Sequence, residues 1–75
     1  MPFIDIKVIE GVFTPEEKRE LVERVSEAVI AVEGEPLRPV THVAITETPS
    51  GGWAIGGQAL SAGDVKAKRS VEATA

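Results

Sequence analysis

The sequence predicts an α+β fold, a β-α-β subunit followed by a short C-terminal hairpin, and three stretches carry that prediction. Apolar and polar residues alternate from Phe3 to Ile9, a capped amphipathic run follows from Thr14, and β-branched residues crowd Val40 to Thr46. A strand-helix-strand order makes the two strands parallel, with a right-handed crossover. The single helix covers one sheet face, whereas parallel sheets are normally covered on both and two strands are marginal alone. The parallel strands are therefore expected to join a larger sheet by oligomerisation, other copies closing the edges and the open face.

In the first strand Ile4, Ile6 and Val8 share one face, expected to be strongly buried, and Asp5 and Lys7 share the other. Glu10-Gly11 turns the chain. Thr14-Pro15-Glu16-Glu17 has the form of a helix start, with Thr14 as cap, Pro15 at the first helical position and Glu17 completing a capping box. Leu21, Val22, Val25, Ala28, Val29 and Val32 then recur at three- and four-residue spacing. Lys18, Arg19, Glu23, Arg24 and Glu27 fill the other side, which reads as a solvated face. Gly34 and Pro36 end the helix after about 19 residues, or roughly 28 Å at the usual rise.

The second strand is expected over Val40–Thr46. Pro49-Ser50-Gly51-Gly52 is a turn, Trp53-Ala54-Ile55 a very short strand and Gly56-Gly57 a second turn, together a small hairpin. Ser61 and Asp64 are spaced for a capping box, but Gly63 and the scarcity of apolar residues predict only a brief helical turn. Lys66 to Ala75 reads as a mobile tail or one draped on a neighbour. Residues 1–75 are expected to form one domain, with about 61–75 as a C-terminal arm.

Composition narrows the function. A chain of 75 residues is small enough that much of its surface stays exposed on folding, which favours a partner subunit. There is no cysteine and one histidine, so disulfides, thiolate metal sites and histidine clusters are excluded, and neither metal nor cofactor is expected. A net charge of −4 argues against nucleic acid as a partner. No apolar run is long enough to span a membrane, and the first residues lack the basic start and apolar core of a signal peptide, so a cytoplasmic protein is expected. The glycine-rich run from Gly51 to Gly57 lacks the lysine and hydroxyl residue of a phosphate loop.

Pro2 is the first candidate for chemistry. Removal of Met1, usual before a small residue, would convert its nitrogen from an amide into a free secondary amine. An α-amine titrates at about 7.7 to 8.0, and an apolar pocket lowers that value by disfavouring the charged form. The result is a base near ambient pH, suited to general acid-base catalysis. Position alone also fits a proline that merely starts an edge strand.

With Pro2, the strand ending in Ile9-Glu10-Gly11, the capped helix, the strand ending in Ile45-Thr46-Glu47 and the Trp53-Ala54-Ile55-Gly56-Gly57 arm in order, the chain resembles the 4-oxalocrotonate tautomerase family over about residues 2 to 60. The resemblance implies β-α-β subunits whose dimers form four-stranded sheets, usually three dimers to a homohexamer, with the proline in a pocket built by more than one chain. It implies an isomerase that moves protons in small enols and unsaturated 2-oxo acids, without a cofactor, using Pro2 as base and then acid. Arginines hold the substrate carboxylates in that family, and an aromatic residue on the arm, here Trp53, forms an apolar wall.

Two departures stand out. Val12 and His42 occupy the positions where the family carries its two arginines, and one residue is inserted near Phe13. Loss of both arginines argues against a dicarboxylate hexadiene acid as substrate. His42 could instead donate a hydrogen bond to a substrate oxygen, or serve as an interface residue; alternation places it with Ala44, opposite Val43 and Ile45. On strand parity Pro2 and His42 of one chain need not meet unless subunits are juxtaposed. Arg38 could replace a carboxylate clamp through its planar fork, or remain a surface arginine. Trp53 could both wall the pocket and anchor a subunit contact. The alternatives to a tautomerase are hydratase- or dehalogenase-like use of Pro2, and a catalytically weak homo-oligomeric binding protein.

Overall fold

A computed structural model describes the backbone of residues 1–74 and the side chains of residues 1–70. Strand β1 (Phe3–Ile9), helix α1 (Pro15–Glu33), a 3₁₀ turn (Glu35–Val40), β2 (His42–Thr48), β3 (Trp53–Ile55), β4 (Gln58–Leu60) and helix α2 (Ala62–Thr74) follow in order. Strands β1 and β2 pair in one two-stranded sheet. They run parallel: near their starts the His42 N–H donates to the Pro2 carbonyl at 2.9 Å, and past the end of β1 the Glu10 N–H donates to the Thr48 carbonyl at 2.7 Å. No helix among the described residues is long and apolar enough to cross a membrane.

The chain gathers into two compact units. One comprises Met1–Ile6 with Thr14–Thr46, the other Lys7–Phe13 with the chain from Glu47 onward. In the first, α1 begins as the sequence requires. The Glu17 N–H donates to Thr14 Oγ1 at 3.1 Å, and the Thr14 N–H donates back to Glu17 Oε1 at 2.9 Å, so two otherwise orphaned donors are satisfied. Gly34 ends the helix at φ 105°, a conformation that costs glycine little, while its N–H donates to the Ile30 carbonyl at 2.8 Å.

The inward face of α1 differs from the expected stripe. Ile30 is buried and Val22, Val25, Ser26 and Val29 are half-buried, but Ala28 and Val32 face outward, Val32 with 90% exposure. Spacing alone chose Val32; the angular sweep of the helix instead turns Ile30 and Glu33 inward over the last turns. In β1, Ile4, Ile6 and Val8 are half-buried rather than strongly buried, and only Ile9 at its end is fully covered. The second strand starts two residues later than Val40 and runs on to Thr48. Pro36 and Pro39 fix the backbone of the preceding segment and remove two amide donors, which favours the 3₁₀ turn over an extension of the strand.

In the second unit β3 and β4 form an antiparallel hairpin with Trp53 opposite Leu60 and Ile55 opposite Gln58. Its loop is Gly56-Gly57, with φ of 58° and 84°, the pair of positive values that a type I′ turn demands. Helix α2 corrects the expectation of a brief turn and a loose tail. Ser61 Oγ accepts from the Asp64 N–H at 3.1 Å and Asp64 Oδ2 accepts from the Ser61 N–H at 3.0 Å, a complete capping box. Ser50 Oγ takes the Ala62 N–H at 2.9 Å, and the helix continues through Thr74. Alanine, lysine and arginine beyond Gly63 are good helix formers, and their summed propensity outweighs one glycine. The final residue of the expected tail, 75, lies outside the described residues.

Candidate active site

Pro2 sits directly before β1, half-buried, with its carbonyl paired to the backbone of His42. The two residues are thus neighbours within one chain through their backbones, which strand parity does not address. Parity governs side-chain direction, whereas this pairing is a backbone bond between parallel strands that begin together. The His42 ring stacks on Phe3, with centroids 6.1 Å apart and planes inclined by 21°. His42 is therefore on the Phe3 face of the sheet, as is Thr46, whose hydroxyl donates to Asp5 Oδ1 at 2.7 Å. An open cavity of about 410 Å³ is lined by Phe3, His42, Ala44, Val22, Ser26 and Glu27, among others. Met1 is attached to Pro2 here, and its terminal amine donates to the Val40 carbonyl at 2.8 Å.

Arg38 belongs to the same unit but is heavily committed. Nη1 and Nη2 donate to the Glu27 carboxylate at 2.7 and 3.0 Å, while Nε and Nη2 donate to Glu35 at 2.9 Å each. Hydrogen bonds from the guanidinium hold both glutamates below the ordinary carboxylate range, and the two carboxylates in turn raise the pKa of Arg38. To clamp a substrate carboxylate, Arg38 would have to release one of these partners. Its present geometry ties the 3₁₀ turn to α1.

Trp53 lies in the second unit, where it lines an apolar cavity of about 250 Å³ together with Val12, Phe13, Ile55, Leu60 and Val65. Val8, Ile9 and Lys7 complete the wall. Val12, 6% exposed, is part of the small core. Beside it stands a residue that sequence reasoning missed: Arg69 of α2 donates from Nη1 to the Val12 carbonyl at 3.0 Å, and its guanidinium carbon lies 4.8 Å above the centre of the Phe13 ring. That contact depends on α2 folding as a helix, so a chain read with a loose tail could not reveal it. Phe13 was visible only as an insertion in the loop and Phe3 only as a residue of the first strand. Among the described residues no group of three His, Cys, Asp or Glu side chains is placed to hold a metal.

Residues 2–63 match the tautomerase enzyme family. The chain belongs to that family. It is 40% identical over 57 residues to a 2-hydroxymuconate tautomerase of Pseudomonas putida, a span covering 76% of this chain and 87% of the relative. The structure of YwhB, a homologue of 4-oxalocrotonate tautomerase, is similar with a TM-score of 0.69 at 36% identity, covering 77% of this chain and 92% of the other. A 4-oxalocrotonate tautomerase isozyme of Methylibium petroleiphilum gives 0.68 at 38% identity, covering 85% and 97%. This tautomerase is accordingly an enzyme of the isomerase class, built on the β-α-β fold with a C-terminal hairpin that the sequence predicted. The family match begins at residue 2 and ends within the first turn of α2, so Pro2 falls inside it and Arg69 outside.

Proposed function

We propose that, once Met1 is removed, the amine of Pro2 is the general base and then the general acid of this tautomerase. In the base step its lone pair takes the hydroxyl proton of an enol; in the acid step the protonated amine returns that proton to carbon, leaving the 2-oxo form. Bonds and charge balance with no cofactor, because the reaction only relocates a proton. The observation that carries the reading is that the family match starts at Pro2 itself, at the head of β1. Met1 is 77% exposed, which leaves its peptide bond open to an aminopeptidase.

The substrate class is a small enol or unsaturated 2-oxo acid, in keeping with a relative that is a 2-hydroxymuconate tautomerase. The apolar cavity around Trp53 receives the substrate body, and in the active form it faces Pro2 of another copy. Trp53 there excludes water and keeps the amine in its neutral form. His42 serves as a donor toward a substrate oxygen. Arg38 contributes to carboxylate binding only if Glu27 or Glu35 lets go. The whole chain, 1–75, functions as a single tautomerase-like domain in a cytoplasmic homo-oligomer, a hexamer formed as a trimer of dimers, with no nucleic acid or membrane partner. The exposed Phe3 (58%) and Ile55 (65%) supply apolar surface for such contacts.

The test combines intact mass with turnover. Protein whose mass lacks methionine should ketonise a simple enol acid above the buffer rate, and Pro2→Ala should remove that activity. Unchanged turnover in Pro2→Ala would refute the base assignment and favour a binding protein or another chemistry.

A further inference from the structure

Pro2 has no N–H while Met1 is attached, and the acceptor that its nitrogen would face in the sheet is taken by another donor. In a parallel ladder, a residue whose carbonyl accepts from one position of the neighbouring strand offers its own N–H to the carbonyl two positions earlier. The Pro2 carbonyl accepts from the His42 N–H at 2.9 Å, so the Pro2 nitrogen is in register with the Val40 carbonyl. The Glu10 N–H, which donates to the Thr48 carbonyl at 2.7 Å, makes the same rung eight residues further along both strands, from 2 to 10 and from 40 to 48. One register therefore runs from end to end. At its first rung the Val40 carbonyl accepts instead from the Met1 terminal amine, at 2.8 Å. That carbonyl is itself held in place. Pro39 fixes the backbone before it, the Thr41 N–H after it donates to the Arg38 carbonyl at 3.3 Å, and the Thr41 hydroxyl lies 2.8 Å from the Leu37 carbonyl and against the Glu33 carboxylate.

We infer that removal of Met1 passes the Val40 carbonyl to Pro2, whose new N–H donates to it, and that this one bond aims the amine. The inference rests on the reading of Pro2 as the base. A neutral secondary amine has one proton and one lone pair. With the proton directed at Val40, the lone pair has a single orientation left, and from there it takes the substrate proton. The ammonium so formed carries two protons: one stays on the Val40 carbonyl, the other returns to carbon, and the neutral amine is restored. Val40 is a positioning residue, because its oxygen exchanges no proton with the substrate. A carbonyl accepts more strongly from an ammonium than from an amine, so the contact favours the charged form. That effect is opposite in sign to the effect of an apolar wall. Met1 therefore blocks the site twice, by holding the Pro2 nitrogen in an amide and by filling the acceptor that would orient it.

The test uses the chain made by total synthesis from Pro2 onward, with an isotopically labelled Pro2 nitrogen. In one variant an ester replaces the Val40–Thr41 amide, which weakens the Val40 oxygen as an acceptor. In a control an ester replaces the Thr41–His42 amide, which removes the His42 donor but keeps the Val40 carbonyl. Each variant loses one N–H at the same end of the sheet. NMR titration of the Pro2 nitrogen should give a midpoint about one pH unit lower in the first ester than in the all-amide chain, as expected for weakening a hydrogen bond to a charged group, and a smaller shift in the control. The acidic limb of kcat/KM should move down with it, and kcat on the plateau should fall roughly 3- to 10-fold because the lone pair is less well aimed. Glu33, Arg38 with Glu27 and Glu35, and His42 are the charged or titratable groups on the elements around this end, and both esters leave them unaltered. A structure of the processed chain is a direct check, with the Pro2 nitrogen expected about 2.7 to 3.2 Å from the Val40 oxygen. The titration separates the two readings: if Pro2→Ala retains turnover, the base assignment fails while the midpoint still judges the Val40 contact. Equal shifts in the two esters, no shift in the first, or a nitrogen–oxygen separation beyond about 3.5 Å would overturn the inference.

Discussion

The start of β1 and the cavity beneath the hairpin differ in the surroundings they offer a small molecule. At the first, Pro2 and His42 meet through a backbone hydrogen bond of 2.9 Å, and the open cavity that the His42 side lines also includes Glu23 and Glu27. Carboxylates in that lining would repel an anionic substrate. At the second, Trp53, Phe13, Val12 and Leu60 form an apolar enclosure with basic residues at its margin. On the proposed function, the first region supplies the nitrogen and the second an apolar surrounding for it. That reading calls for an oligomer in which one copy completes the site of another.

The strongest way to break this comparison is to remove the base. Pro2→Ala should lower kcat by about 10²- to 10⁴-fold, the range for a positioned acid-base group, with the oligomer unchanged on size-exclusion chromatography. Next in size is Trp53→Ala. If the apolar wall depresses the amine, opening it to water should move the acidic limb of the kcat/KM pH profile upward. At neutral pH more of the amine would then be protonated, so kcat/KM should drop by up to about 10-fold for each pH unit that the limb moves. A lower rate with an unmoved profile would make Trp53 a packing residue instead. His42→Ala should have a smaller effect, several-fold on kcat, and Phe3→Ala should reproduce part of it if the stacked ring is what orients the imidazole.

The sequence was most informative where local chemistry decides the outcome. Thr14, Pro15 and Glu17 announced a helix start whose reciprocal hydrogen bonds the structure contains, and the glycine pair at 56–57 announced a hairpin. It was least informative where distant parts meet. Nothing in the spacing of Arg38 revealed that Glu27 and Glu35 would occupy four of its hydrogen bonds. Arg69 was hidden for a related reason: its contact with Val12 spans 57 positions of sequence. Periodicity misplaced Val32 because three- and four-residue spacing does not fix which side of the stripe a terminal residue takes. Pro2 and Trp53 were singled out by an ordered pattern of motifs, whereas a contact made by the folded second helix was beyond such reading.

The smallest expected effect concerns Arg38. Hydrogen bonds from Arg38 depress the pKa of Glu27 and of Glu35, so both bind protons less readily folded than unfolded. Such groups contribute stability that is fully present above the ordinary carboxylate range and is lost as pH falls through their depressed values. Arg38 itself stays charged throughout that window, so it adds no pH dependence of its own. Glu27→Gln should therefore flatten the acid limb of Tm against pH slightly and leave Tm near neutrality almost unchanged, because exposed ion pairs are well screened. Activity in Glu27→Gln protein supplies the decisive contrast. Releasing half of the carboxylate grip frees Arg38 for substrate, so a lower KM for an acid substrate would make it the clamp. An unchanged KM would leave Arg38 as a brace between the 3₁₀ turn and α1.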